Sequence, residues 1–176
     1  MNPIKSSVFA KICAKLIDPK SIKSYGTFAR LTVNNETVTI LATDGHAIYK
    51  YETKAEAWPD MDLKLDSKTL KALSASKAEF LAFIDSPDTY RLTIGETSYR
   101  VHNCKDSKYP KTNHIFNTEF KASHDQLILN STLLGVVSAF PHETALTLTF
   151  SEDMTKFASK DHGTLIICNM TGPDND

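Results

Sequence analysis

In the stretch "TVTILATDGHAIYKYE", Thr37 to Glu52, a carboxylate and an imidazole stand two residues apart at Asp44 and His46. Such a pair can move protons, and within one strand residues two apart share a face. Here, however, the pair straddles Asp44-Gly45 between two strand-like runs, which reads as a two-residue hairpin turn where that rule fails. Acyl chemistry would also need a nucleophile, and no G-x-S-x-G elbow or Cys/His arrangement lies nearby. The histidines at 46, 102, 114, 124, 142 and 162 are dispersed without metal-ligand spacing. The six glycines stand singly, so no phosphate-cradling loop is expected. Cys13, Cys104 and Cys168 are too far apart to suggest a metal or redox pair, and are expected to be reduced and mostly buried. The chain therefore reads as non-catalytic, without metal or cofactor. The competing reading, an enzyme using Asp44 and His46, requires turnover that His46→Ala abolishes.

The elements that must position these residues come from a chain of 176 residues, 41% apolar, enough for one compact domain or slightly more. Twenty basic against 21 acidic residues leave a net charge of -1, so no global field drives the chain onto nucleic acid or an anionic membrane. The longest apolar runs, such as "TLIIC", fall far short of the roughly 20 residues of a membrane span. The N-terminus, "MNPIKSSVFAKICAKL", interleaves lysines with apolar residues, a helical pattern rather than a signal peptide. A soluble cytoplasmic protein is expected.

A unit recurs. "DLKLDSKTLKALSA", Asp62 to Ala75, lies over "QLILNSTLLGVVSA", Gln126 to Ala139, matching Leu63 with Leu127, Asp66 with Asn130, Ser67 with Ser131 and Leu70 with Leu134. The shared pattern is a short alternating strand, an Asx/Ser cap and an amphipathic helix. In both cases three short strands separated by turn residues follow. The N-terminal part fits the same unit with its first strand missing: Ser6 or Ser7 caps a helix bearing Phe9, Ile12 and Leu16, and "TFARLTVN", "TVTILAT" and "HAIYKYE" are the strands. Three units are expected, at about 1–57, 58–117 and 118–176, in an α+β fold. Residues 103–118, "NCKDSKYPKTNHIFNT", read as a connector, and "TGPDND" as a frayed tail.

"LATDGHAIYKYE" resembles the ATDGHRLA stretch in the middle domain of bacterial DNA polymerase III beta subunits, the sliding clamps. "SKYPKT", Ser107 to Thr112, resembles the family's connector into its third domain, and "LIICNM", Leu165 to Met170, its C-terminal strand. The resemblance implies a DNA-clamp fold of β-α-β-β-β units: residues 1–117 as one full clamp domain and 118–176 as the C-terminal half of another, the intervening half being absent. In that family ATDGH forms one wall of an apolar cleft that captures short peptides of polymerases and other replication proteins. Residue by residue, the implied cleft comprises Thr43, Gly45, His46, Ile48, Pro110, His114, Ile115, Ile166 and Cys168. Ala47 stands where the family has arginine, His114 also replaces an arginine, and Cys168 replaces a methionine, so peptide preference is expected to differ. Affinity is expected on the order of micromolar, as for short segments that order on capture.

The family's helices line a central hole and contact DNA phosphates without reading sequence. Helix-borne Lys5, Lys11 and Lys15, then Lys68, Lys71 and Lys77, are the implied DNA-facing cations, whereas "STLLGVVSAF" carries none. That third helix, apolar around much of its circumference, reads as covered on more than one side. Its unit lacks an intramolecular partner, so a homo-oligomer is expected, either a dimer through third units or a four-chain ring of twelve units, with binding to another clamp or a replication protein as the alternative. Two functions follow from the resemblance: a sliding-clamp-like processivity factor tethering replication proteins to double-stranded DNA, or a clamp mimic that competes for their peptides without encircling DNA.

Overall fold

The computed structural model describes residues 4–5, 7–75, 79–105, 107–122 and 129–169. Its elements run in the order of the repeat. The first unit holds β1 (Ile4–Lys5), α1 (Ser7–Leu16), β2 (Phe28–Asn34), β3 (Thr37–Thr43) and β4 (Ala47–Lys54). The second holds β5 (Met61–Asp66), α2 (Ser67–Ala75), β6 (Glu79–Ser86), β7 (Thr89–Ile94) and β8 (Thr97–Asn103). After a connector containing the short helix α3 (Asn113–Phe116) come α4 (Ser131–Val137), β9 (Thr147–Phe150), β10 (Met154–Ser159) and β11 (Gly163–Cys168).

The first unit does possess its first strand, contrary to the sequence expectation. Ile4 and Lys5 pair with Phe80 and Glu79 of β6. Two residues show no alternation to detect, which is why the strand was not legible. It also moves Lys5 off the first helix. The exchange is reciprocal, since β5 of the second unit pairs along β2 of the first, from Phe28↔Asp66 to Val33↔Met61. Each of these units thus lends its opening strand to the other, and α1 packs on α2 between them.

The described strands join one antiparallel sheet in the order β1-β6-β7-β8-β5-β2-β3-β4-β11-β10-β9. Directly paired residues share a face. The helix-covered face carries Leu31, Ile40, Tyr49, Leu63, Phe80, Leu92 and Leu165, all fully buried, against Phe9, Ile12, Leu70 and Leu73 of the helices. The Asx caps act as their sequence positions indicate: Asp66 Oδ1 accepts from Thr69 N at 2.7 Å, and Asn130 Oδ1 from Thr132 N at 2.8 Å. Ser6, the other cap candidate of the first helix, lies outside the described residues, as do 126–128 of the third unit's expected strand and the whole of the tail from 171. No helix among the described residues is long and apolar enough to cross a membrane.

The third helix differs from expectation. Leu133 and Val136 are buried, but Leu134 is 40% exposed, so α4 is covered on one side only. Lys15 Nζ donates to Gly135 O at 2.7 Å and to Ser138 Oγ at 3.0 Å, tying α4 to α1.

Candidate functional site

The outer face of the sheet, opposite the helices, holds the cleft. Thr43 pairs with Ile48 across β3 and β4, Ile48 pairs with Ile166 across β4 and β11, and Met154 pairs with Cys168 across β10 and β11. Register alone therefore brings residues more than a hundred positions apart onto one patch. The hairpin between β3 and β4 closes the patch at one end. It is wider than the two-residue turn that Asp44-Gly45 suggests: Thr43↔Ile48 is the last pair, which leaves four residues between. A type I′ turn needs positive φ at both central residues, and only Gly45 has it, at +98°. Side chains organise the loop instead. Thr43 Oγ1 donates to Ala47 O at 2.7 Å and accepts from Gly45 N at 3.0 Å, while Asp44 Oδ1 accepts from the His46 and Ala47 amides at 2.7 and 2.8 Å. Asp44 is a loop brace whose carboxylate engages the backbone of His46.

β11 locks this loop to the third unit, with Cys168 N donating to His46 O at 2.8 Å. The connector crosses the same face. Tyr109 Oη donates to Leu41 O at 2.9 Å, the Arg30 guanidinium lies 5.9 Å from the Tyr109 ring, and Lys50 Nζ lies 5.3 Å from the Phe116 ring. These contacts bring Ile115 onto the patch.

The result is a small cavity of about 50 Å³ lined by Thr43, Gly45, His46, Ala47, Ile48, Ile115, Met154, Ile166 and Cys168. Seven of the nine residues named from the sequence line it. Pro110 and His114 do not: both lie on the connector, and His114 is exposed. Successive residues of a helical turn point about 100° apart, so α3 can turn Ile115 inward only by turning His114 away. His46 and Cys168 also form the wall of an adjoining cavity of about 560 Å³, whose remaining lining is Asp44, Asn130, Thr132, Leu133 and Asn169. The site is thus one groove running from the outer sheet face past the loop to the start of α4.

Sequence reasoning missed Met154, Ala47 and the α4 end of the groove, although Met154 was accessible through its register with Cys168. It also missed Lys23, whose ammonium stands over Gly45, 2.7 Å from where a Cβ on that residue would lie. A cation therefore flanks the loop even though Ala47 supplies none. Cys13 and Cys104 are buried, as expected for most of the thiols, whereas Cys168 is exposed. Its pKa is nevertheless raised, first by partial burial and then by the carboxylates of Asp44 and Asp153.

On the helix side, Lys11 and Lys15 of α1 and Lys68 and Lys71 of α2 are exposed, and neither helix carries an acidic residue. Lys5 is exposed on β1, and Lys77 lies outside the described residues.

Paired β-α-β-β-β units around two helices, with an apolar groove on the outer sheet face, define the fold of the bacterial sliding clamps. In particular, the chain superposes on the DNA polymerase III beta chain of Streptococcus pneumoniae with a TM-score of 0.71 at 11% identity, over 96% of this chain and 63% of that one. A sliding clamp from Pseudomonas aeruginosa bound to griselimycin gives 0.74 at 14% identity, over 97% and 65%. The Helicobacter pylori beta clamp bound to a DNA ligase peptide gives 0.64 at 11%, over 95% and 64%. The chain thus spans a little under two thirds of the length of these clamps. No protein-family model matches the chain, and no curated protein matches it by sequence.

Proposed function

We propose that the chain is a sliding-clamp-like processivity factor that tethers replication proteins to double-stranded DNA by capturing their short peptide segments in the groove. It acts without catalysis or cofactor, in the cytoplasm. Residues 1–117 serve as a complete clamp domain and 118–176 as half of another. The observation that carries the reading is the convergence of Thr43, Gly45, His46, Ile48, Ile115, Ile166 and Cys168 on one cavity. An apolar pocket with a few convergent polar groups suits an anchor side chain, and the open backbone at Gly45 allows close approach. Pro110 and His114 act from the rim rather than the floor. Exposed Lys5, Lys11, Lys68 and Lys71, with Lys77, supply the phosphate contacts, which need no sequence specificity, while Lys15 is tied to α4. The chain acts as a homo-oligomer, either a dimer or, for a closed ring of twelve units, a tetramer.

Fluorescence anisotropy with a labelled DNA ligase peptide, of the kind the Helicobacter pylori clamp holds, tests the groove. A dissociation constant on the order of micromolar is expected, weakened about tenfold or more by His46→Ala and by Ile115→Ala. Equal affinity in all three proteins would remove the site assignment.

One observation favours the second reading, a mimic that competes for clamp-binding peptides and never encloses DNA. Lys15 is engaged by α4, and α4 itself carries no charge, so the DNA-facing cations are few. Retention on circular DNA with release from linear DNA supports the clamp; peptide binding without DNA retention supports the mimic.

A further inference from the structure

The second unit carries a cluster on the outer sheet face that the groove does not use. β7 and β8 set Arg91 directly opposite Arg100, with Phe83 of β6 in the same row. The row faces outward, because the next row, Leu92 and Tyr99, packs into the core. Two like charges in direct cross-strand register repel each other and cost stability. The fold relieves this only in part. Asp85 Oδ1 stands 3.4 Å from Arg91 Nε, longer than an ordinary N–H···O hydrogen bond, and the two side chains are 39% and 53% exposed. Arg100 makes no ion pair among the described residues. Arg91 is held in place from another side, its guanidinium lying 5.8 Å from the centre of the Phe83 ring.

Around the arginines the surface is concave. A cavity of about 430 Å³ has both of them in its lining, with Asp85 and the hydroxyls of Ser86, Thr89 and Ser98, and all of its lining residues lie in the described stretch 79–105. A β-bulge shapes one end: Ile84 pairs with Tyr90 and Ser86 with Thr89, so Asp85 is the extra residue. Bulges re-aim side chains, and this one gathers Asp85 and Ser86 beside Thr89. Ser86 and Thr89 share one hydrogen bond, and Thr89 is only 8% exposed. Two hydroxyls carry two protons and the shared bond uses one, which leaves the other to donate into the cavity. The lining thus holds two cations and hydroxyl donors against a single carboxylate, in a chain whose net charge is -1. The geometry points to a binding site for a small sugar phosphate on β6, β7 and β8, its phosphate seated between Arg91 and Arg100 and a sugar hydroxyl donating to Asp85. Guanidinium forks donate to two phosphate oxygens at once, which suits a facing arginine pair. The carboxylate between them disfavours a bare anion and rewards a ligand that brings donors of its own. A cavity of this size also suits a small molecule rather than a single ion. In sheet order β5 and β2 separate the site from β3, β4 and β11 of the groove, so it stands apart from peptide capture.

Amide NMR titrations of the 176-residue chain at fixed ionic strength test the site, with ribose 5-phosphate, inorganic phosphate and ribose as separate probes. Ribose 5-phosphate is expected to shift the amides of Asp85, Ser86, Arg91, Ser98 and Arg100 saturably at millimolar concentration or below. Inorganic phosphate shifts the same amides but binds several-fold more weakly, and ribose shifts none of them. Arg91→Gln and Arg100→Gln each weaken both phosphates at least about tenfold, and the rest of the spectrum stays unchanged because both residues are exposed. Asp85→Ala removes the sugar's acceptor together with the competing carboxylate, so ribose 5-phosphate and inorganic phosphate come to bind alike. Lys20→Gln, which removes an exposed cation elsewhere, leaves binding intact. The inference is overturned by the absence of saturable shifts at Arg91, Ser98 and Arg100 at tens of millimolar ribose 5-phosphate, or by full affinity in both arginine variants. Equal shifts by ribose, inorganic phosphate binding the wild type as tightly as ribose 5-phosphate, or a loss in Lys20→Gln matching that in Arg100→Gln overturn it as well.

Discussion

Gly163 is the residue on which the seam between the third unit and the cleft depends. It opens β11 at φ +87°, and a Cβ there would collide with the Lys50 carbonyl oxygen and approach Tyr51 Cα to 3.1 Å. Both neighbours are backbone of β4, so neither can swing aside. Gly163→Ala therefore combines left-handed strain of about 1–2 kcal/mol with overpacking of about 1–3 kcal/mol. At roughly 2–4 °C per kcal/mol for a chain of this size, the melting midpoint falls by about 4–20 °C. Gly95, at φ +56° with nothing within 4 Å of its Cβ position, isolates the strain alone, so Gly95→Ala costs about 1–2 kcal/mol. Because β11 presents Ile166 to Ile48, the Gly163 variant also loses peptide affinity while the Gly95 variant keeps it. Differential scanning calorimetry and peptide anisotropy on the two variants check both statements. Equal melting shifts, or a Gly163→Ala protein as stable as wild type, would refute the claim that β11 is held against β4 by backbone contact.

Asp66→Ala and Asn130→Ala each remove a helix cap and are expected to cost about 1 kcal/mol, read from denaturant midpoints at constant slope. Among the three thiols, Cys168 is expected to react first with iodoacetamide because Cys13 and Cys104 are buried, and bound peptide slows it. Its raised pKa means that the thiolate fraction at neutral pH lies below that of a free cysteine, so its rate keeps climbing with pH beyond the usual thiol range. Combined Lys11→Ala, Lys68→Ala and Lys71→Ala substitutions are expected to weaken DNA retention and to lower the salt slope by about one for each phosphate that is no longer neutralised, whereas peptide affinity stays unchanged.

Much of the fold was legible because its signals are local and repeated. The Asx caps at Asp66 and Asn130, and the strand triplets after each helix, follow from side-chain chemistry that acts within a few residues. The convergence of Thr43, Ile48 and Ile166 was legible through the ATDGH resemblance, since the register that joins them follows once the clamp topology is assumed. What escaped was set by tertiary context. β1 is too short to alternate, and Leu134 looked like core because hydrophobic spacing does not reveal which sides of a helix are covered. The loop widened beyond two residues because Thr43 and Asp44 side chains bridge it, an interaction that competes with the simpler turn. Lys23 reaches Gly45 across twenty-odd residues of intervening chain, which no spacing rule anticipates.

The most direct test of the central claim is a backbone NMR titration of the 176-residue chain with the DNA ligase peptide. Capture in the groove predicts saturable shifts at Thr43, Gly45, His46, Ile115, Ile166 and Cys168, with the amides of Arg91 and Arg100 on the far strands unmoved. Saturable shifts centred on β7 and β8, or none at the six groove residues at millimolar peptide, would contradict it.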